Sequence, residues 1–260
     1  MFLESQFVPE AGLLRAAKAA GPDSATIWVA SDNLLASRAL EALGSRLGRV
    51  VESTLDSRYG GGFDGLHEVL LGLDIPDDIR APVYFVVGTV YSRELGSAFR
   101  VMWEVRAGPV MRDWSEYADL VVYRALDRLL EGDLRGAEVL FLTLASMWDG
   151  SGFRDKAFDG SYDTYKLALA IYLYRALEAG GSKVVYLHED IVGGACAILT
   201  RLQRGDGGVV TDYIVRDGYV VPIGDANVET TSMVALALYS DYPEKIGGGF
   251  TPPLEKGDWG

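Results

Sequence analysis

Residues 163–178 read Asp163-Thr164-Tyr165-Lys166-Leu167-Ala168-Leu169-Ala170-Ile171-Tyr172-Leu173-Tyr174-Arg175-Ala176-Leu177-Glu178. From Leu167 to Tyr174 every residue is apolar or aromatic, so a helix built from them has no polar face. Such a helix must be surrounded by other structure. The run is far too short to span a bilayer, which needs about 20 apolar residues. It therefore reads as an inner helix of a helical protein. Residues 11–20, 132–147 and 190–204 mix apolar with charged or small residues, as outer helices do. Inner helices ringed by outer helices give the layout of an α/α barrel.

The same arrangement recurs along the chain, each time as a polar cluster followed by an apolar helix ending in Ala-Leu pairs. Asp32-Asn33 leads to Ala39-Leu40, Asp119 to Ala125-Leu126, Asp163 to Leu169-Ala170, and Glu229 to Ala235-Leu236-Ala237-Leu238. Asn33, Asp119, Asp163 and Glu229 are spaced 86, 44 and 66 residues apart. A helical pair with its turns takes about 40–47 residues in helical repeats. The spacings thus read as nearly two pairs, one pair, and one pair with an insertion.

The insertions are β-rich. Val83-Tyr84-Phe85-Val86-Val87 and Phe99-Arg100-Val101-Met102-Trp103-Glu104-Val105 are β-branched and aromatic, bounded by Gly and Ser. Residues 209–215 and 219–223 flank Arg216-Asp217-Gly218, a hairpin signal because glycine tolerates positive φ. The expected fold is mainly α: one domain over residues 1–260, an α/α barrel (toroid) of about four or five helical hairpins, incomplete or filled out by small β-hairpins.

Composition narrows the function classes. Hydrophobic residues at 49% and charged residues at 23% allow a substantial globular core. A net charge of −13 without a Lys/Arg cluster argues against nucleic acid or an anionic membrane as partner. Cys196 is the sole cysteine, set among small and apolar residues, and reads as a buried structural thiol. The first residues lack a basic and a continuous apolar region, so the chain as written reads as cytoplasmic, or secreted if a leader precedes it. Only Asn33, Asn227, Gln6 and Gln203 carry side-chain amides, a scarcity that suits a thermophile. Amides kept in such a chain point to places needing a side chain that both donates and accepts hydrogen bonds.

The stretch Ala197-Ile198-Leu199-Thr200-Arg201-Leu202-Gln203-Arg204-Gly205-Asp206-Gly207-Gly208, followed by Asn227-Val228-Glu229-Thr230-Thr231-Ser232-Met233-Val234-Ala235-Leu236-Ala237-Leu238, resembles a repeat of α/α-toroid proteins. That superfamily includes terpenoid cyclases, prenyltransferase β-subunits and thioester-domain toroids, and six-hairpin glycosidases and sugar epimerases have a related barrel. The resemblance covers residues 190–240 well and residues 28–45 and 114–180 loosely. It implies inner helices that all start at one concave mouth, where the separate acidic clusters would meet.

Paired carboxylates in a cleft are what glycoside hydrolysis needs, one as acid to the leaving oxygen and one as base to water. The candidate catalytic residues are Asp32, Glu68, Asp163, Asp225 and Glu229, with His67 assisting. Asn33, Asn227, Trp148, Tyr162 and Tyr165 are the candidate substrate-binding residues. The competing reading is that these Asp and Asn residues only cap helices, where they are favoured. His67 follows Gly60-Gly61-Gly62-Phe63-Asp64-Gly65, a segment that allows close ligand approach, whereas His188 reads as a turn residue. No metal or cofactor is expected. Two histidines without i, i+4 spacing make a poor zinc site, and the aspartates between Asp149 and Asp163 lack EF-hand spacing.

The expected partner is a small-molecule or glycan ligand, with oligomeric state left open. No P-loop, dinucleotide fingerprint or nucleophile elbow is present. Asp77-Asp78 sits in a loop, unlike the acid motif of terpenoid cyclases, and Cys196 lacks the Asp-x-Cys of prenyltransferases. Two other readings stay open: a non-catalytic toroid serving structure or protein interaction, and an isoprenoid- or lipid-handling protein.

Overall fold

A computed structural model of the chain describes residues 1–19, 21–61, 63 and 65–249. Residues 250–260 of the expected domain, and Gly62 and Asp64 of the glycine-rich segment, lie outside the described residues. About half the structure is helical, and small sheets are inserted between the helices. The helices are α1 (Phe2–Ser5), α2 (Leu34–Ala42), α3 (Leu47–Tyr59), α4 (Ala118–Leu130), α5 (Leu134–Ser146), α6 (Thr164–Ala179), α7 (Glu189–Leu202), α8 (Val228–Tyr239) and α9 (Tyr242–Gly247). The strands are β1 (Phe7–Val8), β2 (Leu13–Leu14), β3 (Thr26–Trp28), β4 (Val83–Ser92), β5 (Ser97–Val105), β6 (Tyr162–Asp163), β7 (Asp212–Arg216) and β8 (Tyr219–Pro222).

Helix α6 is buried on every face, as its unbroken apolar run requires. It packs against α4, α7, α8 and α9, while α8 also packs against α2. An inner row α4–α6–α8–α2 results. Its outer partners are α5 on α4, α7 on α6 and α3 on α2. Between α4 and α9 runs a 3-10 turn, His67–Leu71, whose Val69, Leu70 and Leu71 join the core. The Tyr172 hydroxyl donates to the Leu70 carbonyl at 2.5 Å, fixing this turn to the middle of α6.

The β insertions lie beside this row. Strands β3, β5 and β4 form one sheet in that order, β3 parallel and β4 antiparallel to β5. Strands β6, β7 and β8 form a second antiparallel sheet. The β7–β8 turn holds Asp217 at φ 52° and Gly218 at φ 77°, the paired left-handed residues of a tight hairpin. Register places Trp28, Met102 and Val86 side by side, with Tyr84 opposite Glu104 two residues along. These five residues share one face of the first sheet, because alternate residues point the same way. Ile27, Phe99 and Val101 are buried on the other face.

The helix expected over residues 11–20 is absent from the described part of that stretch. Residues 13 and 14 instead form β2, paired with β1. Ala16 N–H donates to the Thr26 carbonyl at 2.8 Å, and the Ala16 carbonyl accepts from Val228 N–H at 2.7 Å. Gly12 enters at φ 71°, outside helical space. Tertiary backbone pairing outcompetes the modest helix preference of the alanines. Cys196 is half-buried, less enclosed than its neighbours in sequence suggested. No helix of the described residues is long and apolar enough to cross a membrane.

Candidate functional site

Glu229 lies in the first turn of α8, where the free N–H groups favour a carboxylate. The turn is started by Asn227, whose side chain accepts from Thr230 N–H at 2.8 Å. His67 Nε2 meets Glu229 Oε1 at 3.2 Å, with the imidazole nearly enclosed and the carboxylate 31% exposed. The other side of the ring rests edge-on against Tyr123 of α4, with centroids 5.6 Å apart. Burial lowers the imidazole pKa, but the hydrogen bond and charge of Glu229, backed by Glu104 and Glu68, more than offset it. The net is raised.

Asp32 sits in a single π-helical turn, Val29–Asn33, that leads into α2. Such a turn inserts an extra residue and recurs at functional sites. The carboxyl is buried, with Oδ1 accepting from Ser31 Oγ at 3.3 Å and Oδ2 lacking a hydrogen-bond partner among the described residues. Burial pushes its pKa well above the carboxylate range, and the charges of Glu229, Asp23 and Glu104 push it further. Burial and neighbouring negative charge thus both favour the protonated form of Asp32, beside the partly exposed Glu229.

Around this pair stand residues from five more segments. Asp23, in a 3-10 turn at Gly21–Ala25, bonds the Trp28 side chain and is itself raised, chiefly by burial. Glu104 of β5 pairs with Arg106 at 3.3 Å. Glu68 accepts from Gly65 N–H at 2.9 Å. Tyr165 at the start of α6 donates to Asp119 Oδ2 of α4 at 3.4 Å. Burial, then the charges of Asp119 and Glu229, hold the Tyr123 hydroxyl protonated. The starts of α4, α6 and α8, the turn before α2 and the sheet thus converge. Trp28 and Tyr84, edge-on at 5.3 Å, supply an aromatic wall on the sheet face that carries Glu104.

Other sequence candidates fall elsewhere. The Asn33 side-chain oxygen accepts from Leu14 N–H at 2.7 Å, and its nitrogen donates to the carbonyls of Leu14 and Trp28 at 2.9 and 2.7 Å. Both ends of the amide are thus occupied by backbone. Asp163 pairs with Lys166 at 2.6 Å, and Lys166 also reaches Asp155 at 2.8 Å. Asp225 is held by Arg204 and by Ala226 N–H. Trp148 packs on Phe153 and lies so close to Gly194 of α7 that a Cβ there would stand 2.9 Å from the indole. The Tyr162 hydroxyl donates to Asp149 at 2.7 Å and its ring stacks on Tyr213. His188 packs edge-on against Phe141. A separate surface concavity at Arg38, Glu41, Tyr239 and Tyr242 has its arginine already tied to Glu41 and Glu52.

Asp23, Glu104, Arg106 and Tyr123 join the site without having been singled out. The signal for Glu104 was a charge inside an apolar strand, and Asp23 was hidden in Gly21-Pro22-Asp23-Ser24, which reads as an ordinary turn. No group of three or more His, Cys, Asp or Glu among the described residues is arranged to hold a metal ion. No protein-family model, curated protein or solved structure matches this chain.

Proposed function

We propose that the chain is an incomplete α/α barrel (toroid) acting on carbohydrate as a glycoside hydrolase-like enzyme. Support for the barrel is the inner row α4–α6–α8–α2 with outer helices behind it and helix starts gathered at one place. Support for the chemistry is one observation above all. A buried Asp32, whose surroundings favour its protonated form, lies within electrostatic reach of Glu229, a partly exposed carboxyl group held by His67. Two carboxyl groups in such different surroundings, one enclosed and one partly exposed beside an imidazole, suit the separate roles of acid and base.

In this reading Asp32 donates its proton to the leaving glycosidic oxygen as the C–O bond breaks. Glu229 removes a proton from the water that attacks the anomeric carbon, and proton exchange with solvent then resets both groups. His67 is a positioning residue: it fixes the rotamer of Glu229 and balances its charge. Trp28 and Tyr84 offer aromatic faces for a sugar ring. The test is release of reducing ends from a panel of oligosaccharides by the wild type, Asp32→Asn and Glu229→Gln. The expected loss is on the order of 100-fold or more for each variant. Equal activity in all three would remove the acid–base assignment.

A second reading, a protein-interaction module, is favoured by β4. It is the edge of its sheet, and Tyr84, Phe85, Val86, Val87 and Tyr91 on it are exposed. An uncharged apolar edge strand invites another chain. That reading predicts binding abolished by Val86→Lys and unaffected by Glu229→Gln.

A further inference from the structure

We infer that the site accepts an uncharged or amino-bearing sugar unit and refuses an anionic one. The inference rests on the carbohydrate reading above and adds the charge class of the ligand. The cations placed at the cluster among the described residues are already held by carboxylates, His67 by Glu229 and Arg106 by Glu104. A ligand carboxylate, sulfate or phosphate would have to break one of these pairs to find a counter-ion. Acids, by contrast, are in excess. Asp23, Glu104 and Glu229 come together from three segments around Asp32, and Asp23 is held by an indole rather than by a cation.

The buried polar atoms point the same way. Asp32 Oδ2 and Arg106 Nε are enclosed in this cluster without a hydrogen-bond partner among the described residues. The arginine nitrogen is an N–H donor and needs an acceptor, and a carboxyl whose surroundings favour its protonated form offers a second donor to the same kind of group. A hydroxyl or ring oxygen accepts without adding charge. An anionic oxygen would accept as well, but would bring a like charge beside Glu229 and Glu104, where partial burial strengthens repulsion. An amine would gain from those same carboxylates. The aromatic pair Trp28 and Tyr84 contributes a flat apolar face that a neutral ring covers at no electrostatic cost.

The experiment uses the full-length protein and a glycan array containing neutral, amino-sugar, uronate and sulfated members in both α and β linkages. Calorimetry then follows on matched oligosaccharides that differ only in carrying a hydroxyl, an amine or a carboxylate. The expected bound set contains neutral or amino sugars, with the uronate weaker on the order of 100-fold. Amine binding should weaken with salt while neutral binding does not. Glu104→Gln, checked for folding by circular dichroism, should narrow the gap between uronate and neutral ligand at least several-fold. A uronate or sulfated glycan binding as well as its neutral counterpart overturns the inference and leaves the carbohydrate reading standing. No glycan bound at all overturns both.

Discussion

On the proposed reading, Asp32 is the residue at which stability and chemistry pull apart. Its pKa is raised in the folded chain, so its contribution to stability is present below the unfolded carboxylate pKa of about 3.9 and is lost as pH rises through the folded value. Asp32→Asn keeps the shape and removes the charge. It should therefore melt higher than wild type at alkaline pH and match it near pH 4, which thermal melts against pH would reveal, while the oligosaccharide assay reports its loss of activity. Asn33, its neighbour, behaves in the opposite way. Asn33→Ala removes one hydrogen bond from Leu14 N–H and two to the carbonyls of Leu14 and Trp28, and should cost roughly 2–5 kcal/mol in chemical denaturation. The scarcity of amides marked Asn33 as a place where donating and accepting both matter. What the sequence did not reveal was that its partners are backbone groups, since the segment holding Leu14 lies 19 residues away and reads as a helix.

At the scale of elements, α6 was the most legible part of the chain, because an apolar run without a polar face leaves few places to put a helix. Leu173→Ala, at a fully buried position, should destabilise by about 2–5 kcal/mol, whereas Leu187→Ala, largely exposed, should change stability by less than about 0.5 kcal/mol. Lys166 is the unexpected element of this helix. It is buried against Asp155, which also accepts from Ala118 N–H at the start of α4. Removing the ammonium strands a fully enclosed carboxylate, so Lys166→Met should cost about 3–5 kcal/mol and loosen the junction of α4 and α6. Hydrogen exchange at residues 118–121 would report that loosening. Residues 11–20 were misread because alanine propensity is a local signal, while the pairing of Ala16 with Thr26 and Val228 depends on contacts distant in sequence.

Across the whole molecule, acids from distant segments come together, but only some of them. Asp32, Glu68 and Glu229 share one site with His67, while Asp163 and Asp225 are occupied by Lys166 and Arg204. Sequence spacing could locate helix starts. It could not show which side chain at each start turns inward, because that depends on the cation nearby. Nor could it reveal Glu104 and Asp23, which arrive on a strand and a turn. On the proposed reading, Asp225→Asn should leave turnover within about threefold of wild type, and Glu229→Gln should abolish it.

The chain has only two histidines, so proton NMR can titrate each imidazole separately. His67 should titrate above the ordinary imidazole range in wild type, and its pKa should fall in Glu229→Gln. A His67 titration untouched by Glu229→Gln would mean that α8 and the turn after residue 66 do not meet, and the site would be lost with them.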